Sequence, residues 1–275
     1  MVKFSCIITV YSGTVLEYFK EAFYSTLHQT VSPNEIIITI DGPVYSELEG
    51  FIDSVVTGSA PTVIRKLQIP ENKGAGPARN EAIRGAENEW IAIMDCDDLC
   101  DKTRFEKQVG IAIKYPDVDF ISTLSEEYSN DFSEGNLIAL KKCPEFSDAI
   151  KKRLNYNCCI TNPSIFFRKS NWEAAGGYAS FKFLNEDHYF FLNLCRLGCK
   201  FYCIQEPLVK VRIGKDQSKR RSGLKLFMQD YRFRTLCYRK GLIDFKGYLV
   251  LLPIFFRRLT PSFLLPYLHK AWRAI

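Results

Sequence analysis

The sequence has no uninterrupted apolar run of the roughly 20 residues that a membrane-spanning helix needs. In the apolar segment 247–268, Pro253 and Pro266 divide the apolar residues into shorter runs. The chain also begins without the charged region, apolar region and small-residue cleavage site that together mark a signal peptide. We therefore expect a cytoplasmic protein without a spanning helix.

Metal-binding cysteine patterns are also missing. None of the ten cysteines forms a Cys-x-x-Cys pair, and Cys195, Cys199 and Cys203 recur every four residues with no histidine in metal-ligand order. This spacing does not favour a zinc site. Reduced thiols, as in cytosolic proteins, are the better interpretation.

Two nucleotide-binding signatures are absent as well. The turn after the first apolar run, residues 11–14, lacks the Gly-Lys-Ser/Thr of a P-loop. Gly74 and Gly76 follow the third apolar run instead of the first and lack the third glycine of a dinucleotide fingerprint. The usual ATP and nicotinamide sites are therefore not expected.

Charge is unevenly distributed along the 275 residues. Residues 214–275 contain fourteen Lys or Arg against three Asp and no Glu, which gives +11 there and −5 for residues 1–213. Such a basic segment favours an acidic partner surface, either anionic lipid or nucleic acid. Because no nucleic-acid-binding motif is present, we expect an anionic membrane surface and no nucleic acid.

In the first hundred residues, apolar runs alternate with helical patterns. Strands are predicted at residues 4–10, 35–40, 63–69 and 90–94. Helices are predicted at about 15–29, between residue 43 and about residue 56, and at 78–86. This alternation predicts a mostly parallel α/β sheet that binds ligands at the C-terminal ends of its strands. Thr9, Tyr11, Asp41 and Asp95 fall at such ends.

The second half is less regular. Helices are predicted at residues 102–115, 147–155, 172–175 and 189–197, strands at 117–123 and 160–168, and a hairpin within 126–145.

Two groups of carboxylates carry the chemistry. Asp95, Asp97 and Asp98 follow a buried strand and would repel one another unless a cation such as Mg²⁺ or Mn²⁺ lay among them, shared with substrate phosphates. A solvated loop or a cap for the helix near residue 102 would also explain them. Glu186 and Asp187 open an apolar helix, where capping alone would account for acidic residues.

Six motifs follow one another along the chain: Ser5-Cys-Ile-Ile-Thr-Val-Tyr11, Asp41-Gly42, Asn72-Lys-Gly-Ala-Gly-Pro-Ala-Arg79-Asn80, Asp95-Cys-Asp97-Asp98, Gly176-Gly177-Tyr178 and Glu186-Asp187. Taken in this order, they resemble the inverting family 2 glycosyltransferases of the GT-A fold, particularly small bacterial enzymes of capsule, exopolysaccharide and O-antigen (lipopolysaccharide) assembly. The resemblance covers about residues 1–213.

The resemblance implies a Rossmann-like GT-A catalytic domain at 1–213, with a nucleotide-binding half at about 1–100 and an acceptor half at about 101–213. It also implies site roles. Asp98 would be the principal ligand of Mn²⁺ or Mg²⁺, with Asp97 near the metal or the ribose, and Asp187 would be the catalytic base with Glu186 as its neighbour. The residues implied to bind the nucleotide sugar are Thr9, Tyr11, Asp41, Asn72, Gly74, Arg79, Asp95 and Asp97.

Physical chemistry agrees with this division of roles. Inverting transfer needs one base opposite the leaving group, and a divalent ion stabilises the charge that builds on the departing diphosphate. A glycosidase instead needs two carboxylates flanking one bond.

The chain departs from the family at Ile40, Asn162 and Asn193, where relatives often have Asp, His and Arg, although Arg196 could replace the last.

The tail, residues 214–275, is expected to form basic and apolar helices. These would lie in a membrane interface or pack on the catalytic domain. Arg212 and the group at 219–221 could contact the diphosphate or an acidic acceptor, or they could form a solvated basic face. Two functions are thus considered. One is metal-dependent transfer from a nucleotide-diphosphate sugar, by default a UDP-sugar, to a polyprenyl-diphosphate-linked glycan on the inner face of the plasma membrane. The other is a catalytically degenerate binding or regulatory protein.

Overall fold

A computed structural model describes residues 2–56, 61–180, 185–214 and 223–259. These residues form one nine-stranded sheet. Its strands lie side by side in the order 63–69, 35–41, 4–11, 90–95, 166–168, 120–129, 201–213 and 99–100, and the strand 137–141 pairs with the strand 120–129. Alternate residues of the central strands belong to two separate core clusters, as Ile7 and Ile37 do on one side and Ile8 and Ile38 on the other. The sheet is therefore buried on both faces, as continuous apolar strands require.

The first four strands are parallel and agree with the predicted runs. They are β1 (Phe4–Tyr11), β2 (Glu35–Asp41), β3 (Val63–Ile69) and β4 (Trp90–Asp95). Three helices connect them: α1 (Leu16–Leu27), α2 (Ser46–Val56) and α3 (Ala75–Gly85). Because right-handed crossovers return each strand to the same direction, all four strands end at one edge of the sheet.

Helix α3 begins three residues before its predicted start. Gly74, with φ of 92°, precedes the first turn, and Pro77 lies within that turn. Proline is tolerated there because a first-turn N–H has no intrahelical acceptor. The Gly-Ala-Gly-Pro segment therefore belongs to the helix start and not to a long loop.

The second half adds mixed strands to the sheet. In chain order its elements are β5 (Leu99–Cys100), α4 (Arg104–Lys114), β6 (Phe120–Ser129), β7 (Leu137–Lys141), α5 (Ser147–Tyr156), β8 (Phe166–Arg168), α6 (Lys169–Ala175), α7 (Glu186–Arg196) and β9 (Phe201–Ile213). β8 is antiparallel to both β4 and β6, whereas β6 and β9 are parallel. The expected hairpin is confirmed by the antiparallel pair β6 and β7.

Two predictions in this half need correction. The expected strand at 160–168 is strand only at β8, because Asn162–Ser164 forms a 3₁₀ turn containing Pro163. The fully buried Arg104 side chain donates to the carbonyl of Ile165 beside that turn. The sequence also gave no indication of β9, in which Pro207 interrupts the pattern and the register with β6 shifts.

The described part of the tail packs on residues 1–213. Its helices are α8 (Leu224–Arg239), α9 (Phe245–Leu249) and α10 (Leu251–Leu259). Phe233 and Cys237 of α8 belong to the same core cluster as residues of α5 and α7. Asn155 donates to Asp244 over 2.8 Å. Within the described ranges, no helix combines the length and apolar character needed to cross a bilayer.

His188 of α7 makes the fold sensitive to acid. Its Nε2 lies 2.7 Å from the carbonyl oxygen of Leu154, and its ring contacts Phe233. Burial, aided by the charges of Arg234 and Lys141, lowers the pKa of His188 to about 4. Since the unfolded residue titrates near 6.5, the unfolded chain binds more protons between these two values, and stability falls as the pH falls through them.

We predict that the free energy of unfolding decreases by up to roughly 3 kcal/mol between pH 6.5 and 4 on account of His188. In His188→Gln, which keeps a donor for Leu154, this part of the pH dependence should disappear. Urea denaturation at closely spaced pH values would measure it. An identical slope in wild type and variant would contradict the assignment.

Candidate active site

A cavity of about 500 Å³ lies where β1, β2 and β4 end and α3 begins. The strand register explains its composition, because Thr9 lies opposite Asp95 and Tyr11 opposite Asp41. All eight residues expected to bind the nucleotide sugar line it: Thr9, Tyr11, Asp41, Asn72, Gly74, Arg79, Asp95 and Asp97. The structure thus brings these eight residues together in one cavity, and their binding roles stay predictions.

Tyr11 forms a half-exposed aromatic wall, with 48% of its surface accessible. Its ring lies over Gly13, where an added Cβ would come within 2.5 Å of a ring carbon. Thr14 fixes the turn, because its hydroxyl accepts from the Tyr11 N–H over 3.0 Å. A fixed and accessible aromatic face is suited to stacking against a planar base.

Asp41 determines the shape of the neighbouring loop. Its two carboxylate oxygens accept the backbone N–H groups of Lys73 and Gly74, each over 2.8 Å. Gly42 has a φ of 82°, and a Cβ there would lie 2.8 Å from the nitrogen of Asn72. The carboxylate that the resemblance assigns to the base is therefore already bonded to the loop, and only its remaining lone pairs could accept from a ligand.

Arg79 joins the cavity to the second acidic group. Its Nη2 lies 2.7 Å from Asp95 Oδ1, and its Nη1 lies 3.7 Å from Glu186 Oε1. Burial disfavours the guanidinium charge, but Asp95, Tyr178 and Glu186 raise its pKa above the ordinary value. Arg79 Nε is buried and has no acceptor among the described residues. The site thus contains a fixed positive charge at the wall of the cavity, held between two carboxylates.

Asp97 and Asp98 differ in their surroundings. Asp97 is partly exposed and lines the cavity, whereas Asp98 is 2% exposed and does not. Burial and the charge of Asp95 raise the pKa of Asp97 to about 6. The same causes raise the pKa of Asp98 well above its ordinary value, and its Oδ1 accepts the Arg212 N–H over 2.8 Å.

These carboxylates fit a divalent cation that is bound partly by the protein and partly by a substrate. Asp95 and Asp97 face one cavity, and their mutual repulsion is only partly offset by Arg79 and Arg212. Within the described ranges, no cluster of three or more His, Cys, Asp or Glu is placed to bind an ion. Mg²⁺ and Mn²⁺ commonly take one or two carboxylates and complete their coordination with phosphates.

Arg212 has a structural role, which corrects the interpretation that it reaches a diphosphate. Its Nε donates to the carbonyl of Asp97 over 3.1 Å, and its Nη2 pairs with Glu21 at 3.0 Å. The guanidinium carbon lies 3.7 Å from the ring centre of Tyr18, and Nη1 donates to the carbonyl of Asn130. The basic group at 219–221 lies outside the described residues.

Glu186 and Asp187 form the first turn of α7. Glu186 is directed to Arg79, and Asp187 Oδ1 accepts the N–H of the next residue, His188, over 2.6 Å. Burial, together with the charge of Asp187, raises the pKa of the Cys158 thiol. No side chain caps the start of α7 by a hydrogen bond, so the capping interpretation does not account for the acidic pair. Among the ion pairs of the described residues, Glu186 has Arg79 as a partner and Asp187 has none.

Three residues of the matched motifs have connecting roles that the sequence did not suggest. Asn80 Oδ1 accepts from the N–H of Tyr178 and from Trp172 Nε1, and Asn80 Nδ2 donates back to the carbonyl of Tyr178. Gly177 has a φ of 70°, and a Cβ there would lie 2.7 Å from Asn80 Oδ1. Tyr178 donates its hydroxyl to Asn162 Oδ1 over 3.0 Å. The only signal in the sequence was the presence of these residues in the motifs.

Comparison with known proteins agrees with the geometry. The family model described as glycosyl transferase family 2 matches residues 5–174. The Escherichia coli UDP-Gal:alpha-D-GlcNAc-diphosphoundecaprenol beta-1,3-galactosyltransferase is 29% identical over 269 residues, which cover 98% of this chain and 95% of the relative. The amylovoran biosynthesis glycosyltransferase AmsE of Erwinia amylovora is 28% identical over 270 residues, covering 97% and 98%.

A solved structure shares the fold. The crystal structure of S. aureus TarS 1-349 in complex with UDP-GlcNAc superposes with a TM-score of 0.65 at 16% identity, covering 94% of this chain and 72% of that one. The expected GT-A fold, with C-terminal helices added to the mixed sheet, is thereby confirmed.

We predict that Arg79→Met destabilises the protein by about 2–4 kcal/mol, because it leaves Asp95 and Glu186 without their cation in a mostly buried setting. The matched control is Arg84→Met on the same helix, whose partner Glu81 is exposed, and it should cost less than about 1 kcal/mol. Urea denaturation measures both. Equal losses in the two variants would show that Arg79 does not connect the two acidic groups.

Proposed function

Because this chain belongs to glycosyl transferase family 2 and is therefore a glycosyltransferase, we propose that it transfers a sugar, with inversion, from a nucleotide-diphosphate sugar to a lipid-linked glycan. The observation that carries this proposal is the arrangement around Arg79. That residue lies between the cavity at the strand ends and the first turn of α7. A leaving-group site and a candidate base are thus joined by one fixed cation.

The donor is proposed to be a UDP-sugar bound in the cavity of about 500 Å³, a volume within the usual range for small-molecule sites. Tyr11 would stack on the base, and the loop fixed by Asp41 would enclose it. The names of the E. coli relative and of the TarS complex both include a UDP-sugar, which supports uracil as the base.

A divalent cation, Mn²⁺ or Mg²⁺, is proposed at Asp97, with Asp95 beside it and the donor phosphates as further ligands. When bound, such an ion acts as a Lewis acid toward the diphosphate leaving group. Arg79 orients Asp95 through their 2.7 Å ion pair, and its positive charge lies at the wall of the same cavity. Asp98, the principal ligand implied by the resemblance, is better placed to fix the loop through the Arg212 N–H.

Asp187 is proposed as the base that takes the proton from the acceptor hydroxyl. Inversion needs a single carboxylate on the face opposite the departing diphosphate. Glu186 lies 3.7 Å from the Arg79 guanidinium and is the less available of the two neighbours. Glu186 would thus position the first turn of α7, and Asp187 would carry out the proton transfer.

The acceptor is proposed to be a polyprenyl-diphosphate-linked bacterial surface glycan at the inner face of the plasma membrane. The name of the E. coli relative includes such an acceptor, and AmsE is named for polysaccharide biosynthesis. Residues 214–275 carry a charge of +11, and Leu252 and Phe256 of α10 are 59% and 63% exposed. Basic and exposed apolar residues together favour peripheral binding to anionic lipid.

We predict that Asp187→Asn binds the UDP-sugar with unchanged affinity and transfers sugar at least about 100-fold more slowly, because a neutral amide cannot accept the proton. The control is Asp148→Asn, which removes one negative charge from the exposed surface of α5 and should leave the rate unchanged. Transfer by Asp187→Asn at the wild-type rate would refute the base assignment.

The donor and metal are tested by a panel of nucleotide sugars in thermal denaturation. A UDP-sugar at 100 times its Kd should raise the Tm by roughly 5–10 °C with Mn²⁺ present, and much less with EDTA. Asp97→Asn should lose the Mn²⁺-dependent part of this rise, whereas Asp148→Asn should keep it. If no nucleotide sugar raises the wild-type Tm, a degenerate binding protein becomes the better description.

A further inference from the structure

A second cavity of about 560 Å³ lies between the body and the tail helices. It is formed by the end of α5, the start of α7, and the helices α8 and α10. The lining residues that matter for its chemistry are Asn185, His188, Asp230, Phe233, Arg234 and Ile254. The donor cavity shares none of these residues. The two cavities are therefore separate spaces.

The first turn of α7 lies between these two cavities. Asn185 and His188, which precede and follow the acidic pair, line the second cavity, whereas Glu186 contacts Arg79 of the first. Cys158, which also lines the second cavity, is close enough to Asp187 to sense its charge. A molecule in the second cavity would thus lie against the helix turn that carries the proposed base.

Among the described residues, the polar half of this cavity carries more positive than negative side chains. It includes three arginines and one carboxylate, Asp230, which is paired with Arg258 at 2.9 Å. Arg234 is 5% exposed and donates to the carbonyls of Gly247, over 2.7 Å, and Tyr156. In the described part of the chain, Arg234 has no carboxylate within ion-pair distance. A buried guanidinium balanced by carbonyl dipoles alone is costly, and an anion would offset that cost.

The other half of the cavity is apolar. Phe233 of α8 lines it, together with Val250, Pro253 and Ile254 at the start of α10. A ligand that satisfies both halves must join an anionic group to a hydrocarbon chain, because neither inorganic phosphate nor a neutral lipid would contact both.

We propose that this second cavity binds the lipid-proximal end of the acceptor, an isoprenoid diphosphate. Arg234 contacts the diphosphate, and Phe233 and Ile254 contact the first isoprene units. The sugar on the far side of the diphosphate then extends to the first turn of α7, where Asp187 lies. This inference rests on the proposed function and assigns the acceptor a site that the tail helices complete.

Farnesyl diphosphate, titrated by calorimetry into the full chain saturated with UDP and Mn²⁺, tests the proposal. It should bind while the donor cavity is filled, and inorganic diphosphate and farnesol should each bind at least about tenfold more weakly. Arg234→Gln, which keeps a donor for one carbonyl, should weaken farnesyl diphosphate binding at least tenfold. The control Arg232→Gln removes an exposed arginine two residues away that does not line the cavity, and it should change nothing.

Ile254→Trp provides a second test that leaves the arginines intact. It should fill the apolar half and weaken farnesyl diphosphate while sparing inorganic diphosphate. UDP binding should be unchanged in both variants, and hydrolysis of the UDP-sugar without acceptor should be too. If folded Arg234→Gln and Ile254→Trp both bind farnesyl diphosphate as wild type does, or if UDP displaces it, the proposal is wrong. Failure of UDP-sugar binding in wild type would instead overturn the proposed function.

Discussion

The arrangement of this protein depends on the buried guanidinium of Arg79. It is bonded to Asp95 at the end of β4 and lies near Glu186 at the start of α7, which are far apart in the chain. A charge held in a mostly buried place must keep both partners, since removing either leaves an uncompensated charge. The donor cavity and the turn that carries Asp187 are therefore positioned relative to each other by one side chain.

The tail completes the molecule on the other side of that turn. Its composition predicted basic and apolar helices but could not decide between membrane binding and packing, because both use the same residue types. The structure shows that the described tail helices have one buried and one exposed surface. Phe233 and Cys237 are buried against the body, whereas Phe256 is exposed. An enzyme that draws its acceptor from a bilayer would need a route from that exposed surface to its base, and the second cavity lies between the two.

The sequence predicted the strand ends well and their side-chain partners poorly. Apolar runs and short connections fix a parallel sheet, so the residues at its edge could be placed in one cavity from periodicity and motif order alone. Partner choice depends on contacts between distant segments. Asp98 is turned to the N–H of Arg212, which lies 114 residues later on a strand that no pattern indicated. Asp41 is likewise bonded to a distant segment, the loop that contains Lys73 and Gly74. The sequence next to either aspartate does not indicate these contacts.

The central claim is that a single carboxylate on α7 acts across the anomeric carbon from a leaving group held at the ends of the strands. The most direct measurement is the anomeric configuration of the product, read by NMR from the coupling constant of the newly formed glycosidic linkage. An α-linked nucleotide sugar should give a β-linked product, since the hydroxyl attacks opposite the diphosphate. A product that retained the donor configuration would contradict the account.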